Sequence, residues 1–344
     1  MRMLILSCKS ALEKEIGDLK LLLEAINKYK KRYNDYRIKF VFFDQDNDFK
    51  IKPIKKNAKA IRDFINALEE KWGEIGTIMI IGGDKVVPFY RLPNPCDDDD
   101  TKVFSDSPYA SRDDDFLIPE RVCARIPDNR SAKFIIKQLN KPFTKNGKSF
   151  GMSALVWKEA SKEVYQQIGN PRDLKISPPT TSANFKSEWL REKDYLYFNL
   201  HGSSVSENWY GQDGGNYPIA LKPENIFEAS GFVASEACYG AYIINKTEKN
   251  ALSLKFLDQD NVAGFCGSTT IAYGPPSPPS SEADLMVRYL FAYLKQGLLI
   301  GEAFKNAKID FARKKIRLHG FLDDDDQKTL LQFVLYGNPL LRLC

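Results

Sequence analysis

Histidine is the scarcest of the chemically reactive residues in this chain, since only His201 and His319 occur in 344 residues. No run of 18 apolar residues exists, so the sequence predicts no transmembrane helix, and the first apolar run is too short for a signal peptide. Six cysteines occur without a CxxC pair or metal-ligand spacing, which argues against a structural zinc site and a disulfide framework. We therefore expect reduced thiols in a cytoplasmic protein without a membrane partner.

An excess of charge of one sign is also lacking. Fifty basic residues stand against 45 acidic ones, and the resulting net charge of +5 is dispersed, so nucleic acid is not an expected partner. The composition, 43% hydrophobic and 28% charged, is that of an ordinary globular protein. A chain of this length can bury one large core or two fused lobes.

The first half of the chain alternates short apolar runs with amphipathic segments, which is typical of a parallel sheet with helices on both faces. The predicted elements are strand 2–8, helix 11–33, strand 38–43, helix 57–72, strand 77–81, strand 119–127 and helix 131–139. Residues 88–120, rich in Pro and Asp, predict a long acidic loop. A polar linker near residues 141–150 predicts two subdomains, 1–145 and 146–344.

The second half repeats this alternation and carries the most reactive side chains. Its predicted strands are 152–157, 195–200, 231–237 and 262–267, its predicted helices are 251–257, 283–296 and 300–316, and a closing element follows at 330–343. The second of these strands ends at His201 and the third at Cys238. Because ligands collect at the carboxyl ends of strands in open α/β sheets, we expect these two side chains to lie at one site.

A histidine and a cysteine at adjacent strand ends can form a nucleophilic pair. The thiolate is the form of cysteine that attacks a carbonyl carbon, and a nearby imidazole raises its reactivity. The N–H groups of Gly202 and of Cys238 itself are candidate donors to the oxyanion that the attack creates. A buried, inert cysteine beside a hydrogen-bonded histidine is the alternative that the residues alone leave open.

Eight short segments carry further information when they are taken together. They are residues 78–88, 105–109, 113–115, 123–127, 198–203, 234–240 with 262–269, and 336–339. Their motifs, among them His201-Gly202 and Ala237-Cys238, resemble those of the gingipain-type cysteine peptidases of the caspase-like superfamily. One departure is Leu200, which precedes the His-Gly pair where gingipains usually carry glycine.

The resemblance implies a three-layer α/β/α caspase-like sandwich with a mostly parallel sheet and two tandem subdomains, the second of them catalytic. It implies His201 as general base and acid and Cys238 as nucleophile, with no cofactor required for the chemistry. Among the acids after the strand at 152–157, Glu159 best fits the residue that orients the histidine in this family.

The resemblance also implies a pocket for the residue before the scissile bond. In gingipains an acidic residue in this pocket selects Arg or Lys. Glu163 is the nearest acid in the corresponding interval, with Asp173 behind it, and Tyr273 stands where an aromatic wall of the pocket is expected. A carboxylate facing a guanidinium or ammonium group gives strong selectivity.

A structural calcium site is a further expectation, since gingipain-like enzymes bind calcium. Asp84 with Asp113, Asp114 and Asp115 would supply oxygen ligands of the kind that calcium prefers. The acidic runs 97–100 and 323–326 are interpreted more simply as solvated turns.

The resulting prediction is a cysteine endopeptidase that cleaves protein or peptide substrates after Arg or Lys and is regulated by a protein partner rather than by a pro-segment. Two alternatives remain open. A catalytically silent caspase-like scaffold would need no reactive thiol. A cysteine-dependent amidase or transferase that acts on small molecules would have a closed pocket rather than an open groove.

Overall fold

The apolar runs of the chain form strands of one large sheet in this computed structural model, which describes residues 1–343. The strands are β1 (Arg2–Ser7), β2 (Arg37–Phe42), β3 (Thr77–Ile81), β4 (Tyr90–Pro93), β5 (Lys102–Ser105), β6 (Val122–Ile126), β7 (Ser149–Ala154), β8 (Lys175–Ser177), β9 (Tyr195–Asn199), β10 (Trp209–Tyr210), β11 (Ile219–Leu221), β12 (Ser230–Ser235), β13 (Asn261–Ser268) and β14 (Phe333–Gly337).

The amphipathic segments form α-helices, and Asn57 and Ser131 cap two of them through their side chains, as their residue types favour. The helices are α1 (Lys9–Ile16), α2 (Lys20–Arg32), α3 (Ala58–Trp72), α4 (Ser107–Ala110), α5 (Ala132–Asn140), α6 (Lys158–Tyr165), α7 (Leu252–Leu257), α8 (Glu282–Lys295), α9 (Ile300–His319) and α10 (Asp324–Gln332). No helix within residues 1–343 is long and apolar enough to cross a membrane.

The large sheet has ten strands in the order β2-β1-β3-β6-β14-β13-β12-β9-β7-β8. All neighbouring strands are parallel except β13 and β14. The sheet therefore consists of two parallel five-stranded halves that run in opposite directions and meet at this antiparallel pair. Two small antiparallel pairs, β4 with β5 and β10 with β11, lie outside it.

Helices cover both faces of the sheet. In β9, Leu196 and Phe198 enter a core that includes α7, whereas Tyr195 and Tyr197 enter a core formed with α6, α8 and α9. Successive residues of a strand point to opposite faces, so these two cores lie on opposite sides of the sheet. The predicted three-layer α/β/α architecture with a mostly parallel sheet is confirmed.

The connection near residue 145 lies between α5 and β7 and contains neither helix nor strand. The last strand, β14, nevertheless comes from the far end of the chain and pairs with β6 on one side and β13 on the other. The first half of the sheet therefore includes Phe333–Gly337. The division of the chain into units 1–145 and 146–344 stays a prediction.

Three predicted segments differ from the structure. The helix expected over 11–33 is two helices, because Gly17 ends α1 with a φ of 77°. The acidic loop 88–120 contains the β4–β5 pair and α4. The acidic turn 323–326 begins α10, because the Asp323 side chain accepts the N–H of Asp326 and caps the helix.

Candidate active site

The register of two adjacent strands brings His201 and Cys238 to the same level of the sheet. Strands β9 and β12 are parallel neighbours in which Phe198 lies opposite Ser235. His201 follows the first of these residues by three positions, and Cys238 follows the second by three. The contact is close, since a Cβ atom placed on Gly202 would lie 2.1 Å from the carbonyl oxygen of Cys238.

The imidazole of His201 is fixed by neighbours on several sides. Its backbone exchanges two 2.8 Å hydrogen bonds with Tyr210, and its Nε2 atom lies 2.8 Å from Oε1 of Gln212. The rings of Trp157 and Tyr217 have centroids 4.3 Å and 5.2 Å from the imidazole centroid. Burial lowers the pKa of His201, and the hydrogen bond with Gln212 partly opposes this shift. The imidazole is therefore neutral at rest near pH 7.

The thiol of Cys238 sits in a backbone loop. Its Sγ atom lies 3.4 Å from the amide nitrogen and 3.5 Å from the carbonyl oxygen of Ala272. Burial raises the pKa of the Cys238 thiol, although the N–H of Ala272 opposes this. The next residue, Tyr239, has a φ of 56°, which is the left-handed region that residues other than glycine rarely adopt. A base must remove the thiol proton before the sulfur can attack.

A cleft with about 270 Å³ of empty space opens beside the sulfur. Tyr273 forms part of its wall, and the hydroxyl of Tyr273 donates to Asp98. The lining residues are Trp157, Asn199, Leu200, Glu236, Cys238, Ala272, Tyr273, Gly274 and Ala283.

Glu236 lines this cleft, and its carboxyl group interacts with a second buried one, that of Asp284. The hydroxyl of Tyr197 donates to Oε2 of Glu236 at 2.8 Å. Apart from the contact between the two carboxyl groups, Oε1 of Glu236 and both carboxyl oxygens of Asp284 have no hydrogen-bond partner among the described residues. Burial raises the pKa of Glu236 well above its ordinary value and that of Asp284 to about 7, and the two groups interact directly.

A buried lysine, Lys328, connects the segment that carries Cys238 to the first half of the chain. Lys328 forms a 2.7 Å ion pair with Asp100. Asp100 also accepts the hydroxyl of Tyr239 at 2.6 Å and the N–H of Ile271 at 2.8 Å. The acidic run 97–100 is thus not simply a solvated turn, because one of its carboxylates holds both segments that flank the sulfur.

The structure does not bring Glu159 to the histidine. This residue lies in the first turn of α6 with 58% of its side chain exposed, and its carboxylate pairs with Lys162 at 2.8 Å. The group that contacts the imidazole nitrogen is the amide of Gln212, which follows His201 in the sequence, whereas Glu159 precedes it. The predicted orienting role of Glu159 is therefore corrected to a surface ion pair within its own helix.

The two acids expected in the specificity pocket are also placed differently. Glu163 pairs with Arg288, and its second oxygen accepts the N–H of Ser280 at 2.7 Å. Asp173 is exposed in a short 3-10 turn, Pro171–Asp173. Neither belongs to the described residues that line the cleft. Glu163 already has a cationic partner, so its carboxylate is not free for a substrate.

The acids expected to bind calcium have separate partners. Asp84 forms a 2.7 Å ion pair with Arg91, and Asp115 accepts the N–H of Leu117 in its own loop. Among the described residues, no three His, Cys, Asp or Glu side chains are grouped so that they can hold a metal ion. The ligand set predicted from Asp84, Asp113 and Asp115 is therefore not assembled in this structure.

Comparison with known proteins finds a similar fold but no similar sequence. No family model matches this chain, and no curated protein sequence matches it. The crystal structure of the Arg-specific cysteine proteinase gingipain R superposes with a TM-score of 0.67 at 14% identity, covering 99% of this chain and 78% of that one. This chain has the gingipain fold.

Two further structures match over a similar extent. A complex of the pro- and mature domains of RgpB from Porphyromonas gingivalis has a TM-score of 0.67 at 14% identity, covering 99% of this chain and 80% of that one. A structure described as a protease has a TM-score of 0.64 at 11% identity, with coverages of 99% and 78%. The likeness is one of fold, so the roles of single residues rest on the geometry of this chain.

Sequence reasoning missed three residues at this site. Gln212 lies in a polar interval that gave no signal. Glu236 was visible as a charged residue at the end of an apolar run, and such a residue inside a buried strand end needs a partner. Asp284 lies near the start of a strongly apolar helix, where its burial is a similar signal.

Proposed function

We propose that this protein is a cysteine peptidase in which His201 activates Cys238. The observation that carries the proposal is the parallel register of β9 and β12, which sets both side chains at one edge of the sheet with Gly202 packed on the Cys238 carbonyl. The fold, which this chain has in common with a cysteine proteinase, supports the same chemistry. Nucleophilic catalysis by a thiol requires a base, and His201 follows the strand next to the one that leads to Cys238.

The reaction follows from the resting protonation states. Both groups are neutral at rest, so His201 acts first as a general base and takes the thiol proton. The sulfur then bonds to the peptide carbonyl carbon, and the carbonyl oxygen becomes an oxyanion that the N–H groups of Gly202 and Cys238 stabilise. The imidazolium gives its proton to the leaving amine. Water, activated by the same imidazole, then hydrolyses the thioester and restores the thiol.

Cleavage after Arg or Lys is the preference that we propose. The support comes from Glu236 and Asp284 rather than from Glu163, which pairs with Arg288. Glu236 lines the cleft, and a guanidinium or ammonium group that enters it would supply hydrogen-bond donors to this carboxyl group and a positive charge that favours its ionised form. The proposed substrates are proteins or peptides, and the pro-domain complex of RgpB is an example of a protein regulator on this fold.

A catalytically silent scaffold is the competing function. The raised pKa of the Cys238 thiol favours it, because a scaffold needs no reactive sulfur. The position of Glu236 argues against it, since a buried acid in the wall of a cleft, next to a cysteine, is more typical of a functional site than of a purely structural region.

Hydrolysis of a fluorogenic peptide panel, varied at the residue before the scissile bond, tests the proposal. Wild type and Cys238→Ala are compared with calcium and with a chelator, and circular dichroism verifies the fold of both. We expect Cys238-dependent cleavage after Arg or Lys. Cleavage after Asp or Asn would retain the nucleophile and overturn the preference, whereas equal activity of Cys238→Ala would overturn the mechanism.

A further inference from the structure

A short hairpin covers the imidazole of His201. Strands β10 and β11 form this hairpin, and the residue pair His201 and Tyr210 is hydrogen bonded in both directions at 2.8 Å, which fixes the hairpin to the end of β9. Gln212 follows two residues later and its side chain returns to Nε2 of His201. The position of the ring is thus set by a segment that plays no part in the proposed bond-making steps.

The orientation of the Gln212 amide is determined by its other contacts. Its nitrogen, Nε2, lies 3.1 Å from the carbonyl oxygen of Gly214 and 3.0 Å from the hydroxyl of Tyr217. A carbonyl oxygen can only accept, so the end of the amide that faces it must be the NH₂ group. The other end, Oε1, can also only accept, and it is the atom that faces His201 at 2.8 Å.

A definite tautomer of the imidazole follows from this contact. Nε2 of His201 must carry a hydrogen in order to donate to Oε1, and the lone pair of a neutral ring then lies on Nδ1. We infer that Gln212 is a positioning residue that holds His201 as the Nε2–H tautomer and thereby makes Nδ1 the atom that accepts the proton of Cys238.

The neutral character of Gln212 has a consequence of its own. An amide oxygen orients an imidazole as a carboxylate does, but it supplies no full negative charge to stabilise the imidazolium. The two aromatic rings that contact the imidazole, those of Trp157 and Tyr217, supply no full charge either. The arrangement therefore favours a neutral thiol and imidazole at rest over a preformed ion pair.

Ring-nitrogen NMR of the full chain tests the tautomer without any need for activity. The chain has only two histidines, so the His319→Gln variant assigns both rings. We expect the neutral His201 ring to give a protonated Nε2 and an unprotonated Nδ1, and we expect Gln212→Ala to give an average of both tautomers. A protonated Nδ1 in the wild type, or spectra unchanged in Gln212→Ala, would overturn the inference.

Kinetics test the role of the tautomer, which rests on the proposed peptidase function. We expect Gln212→Ala to lower kcat by about 10-fold to 100-fold with little change in KM, because general-base catalysis by a positioned group contributes about 10²–10⁴-fold. Tyr217→Phe, which removes only one acceptor of the Gln212 amide, should give a smaller loss, and it keeps the test valid if Gln212→Ala fails to fold.

Replacing the neutral Gln212 by a charged residue tests its positioning role specifically. Gln212→Glu should restore much of kcat and move the acid limb of the kcat profile to higher pH, because a carboxylate raises the pKa of the imidazole. Gln166→Glu, an exposed glutamine at the end of α6, is the matched control and should move neither. If Gln212→Glu leaves the acid limb in place while Cys238→Ala is inactive, the positioning role fails and the peptidase stands. If Cys238→Ala retains activity, the proposed function itself fails.

Discussion

The two halves of the sheet have the same architecture, but a cluster of buried charged groups in one differs from a cluster in the other. In the first half, Arg125 pairs with Asp106 and donates to the carbonyl oxygens of Gly82 and Val87, so its charge and its donors are satisfied. In the second half, Glu236 and Asp284 contact each other, and Oε1 of Glu236 and both Asp284 oxygens have no other partner among the described residues. Closed networks stabilise a fold, whereas open ones at a cleft are suited to a ligand.

The largest effect expected from this contrast is in the second half. His201→Ala removes the proposed base, and we expect kcat for peptide hydrolysis to fall by about 1000-fold or more. His319→Ala, which changes an exposed histidine at the end of α9, is the matched control and should retain activity. Equal rates for the two variants would remove His201 from the mechanism.

The corresponding change in the first half should affect stability. Arg125→Met leaves the buried Asp106 carboxylate without its partner, and we expect the free energy of unfolding to fall by about 3–5 kcal/mol. Urea denaturation measures this, with Arg313→Met, on an exposed side chain, as the control. A loss below about 0.5 kcal/mol, the range of ordinary surface changes, would contradict the structural role of this pair.

The contact between the segments that carry His201 and Cys238 gives the next effect. Gly202→Ala places a Cβ atom 2.1 Å from the Cys238 carbonyl oxygen, so one segment must shift. Overpacking of this kind lowers the free energy of unfolding by about 1–3 kcal/mol. Because the shift moves His201 relative to Cys238, kcat should fall as well. Gly215→Ala is the matched control, because nothing lies within 4 Å of a Cβ atom there. Wild-type kinetics for Gly202→Ala would show that the segments are not in register.

A smaller effect on kcat is expected where Asp100, in the first half, contacts the segment that carries Cys238. Asp100→Asn keeps the shape of the side chain but removes its charge beside Lys328 and weakens its contacts with Tyr239 and Ile271. We expect kcat to fall by about tenfold, which corresponds to about 1.4 kcal/mol. Asp99→Asn, on an exposed neighbour, serves as control. A change in KM alone would assign Asp100 to substrate binding instead.

The smallest expected effect is on the pH dependence. Burial lowers the pKa of His201 below 6.5, so peptide hydrolysis should persist below pH 6.5 and decline as the ring gains a proton. As the pH falls, the imidazole of the unfolded chain binds a proton before that of the folded chain does. The contribution of the neutral His201 to the free energy of unfolding is therefore fully present above pH 6.5 and is lost as the pH falls through the pKa of the folded state. An acid limb above pH 6.5 in the kcat/KM profile would contradict this environment.

The sequence predicts the architecture well because local patterns determine it. The apolar runs became β1, β3, β9 and β12 within a residue or two, since a buried strand needs little beyond its own composition. The position of β14 between β6 and β13 was not predictable, because it depends on a pairing across more than 200 residues.

The site was predicted less completely, for a related reason. His201 and Cys238 were visible as rare, reactive residues at the ends of apolar runs. Glu163 was assigned to a substrate because its partner Arg288 lies 125 residues away in sequence. The contact of Gln212 with the imidazole likewise depends on the hairpin that carries Gln212. No pattern of residues in the sequence predicts that contact.

Labelling of the thiol is the most direct test of the claim that the second half carries a catalytic site. A peptidyl acyloxymethyl ketone with Arg at the reacting end is incubated with wild type and with His201→Ala, and the modified cysteine is identified by mass spectrometry. The account predicts one adduct, on Cys238, in the wild type and almost none in the variant. Equal labelling in both proteins, or labelling at the partly exposed Cys96 instead, would contradict it.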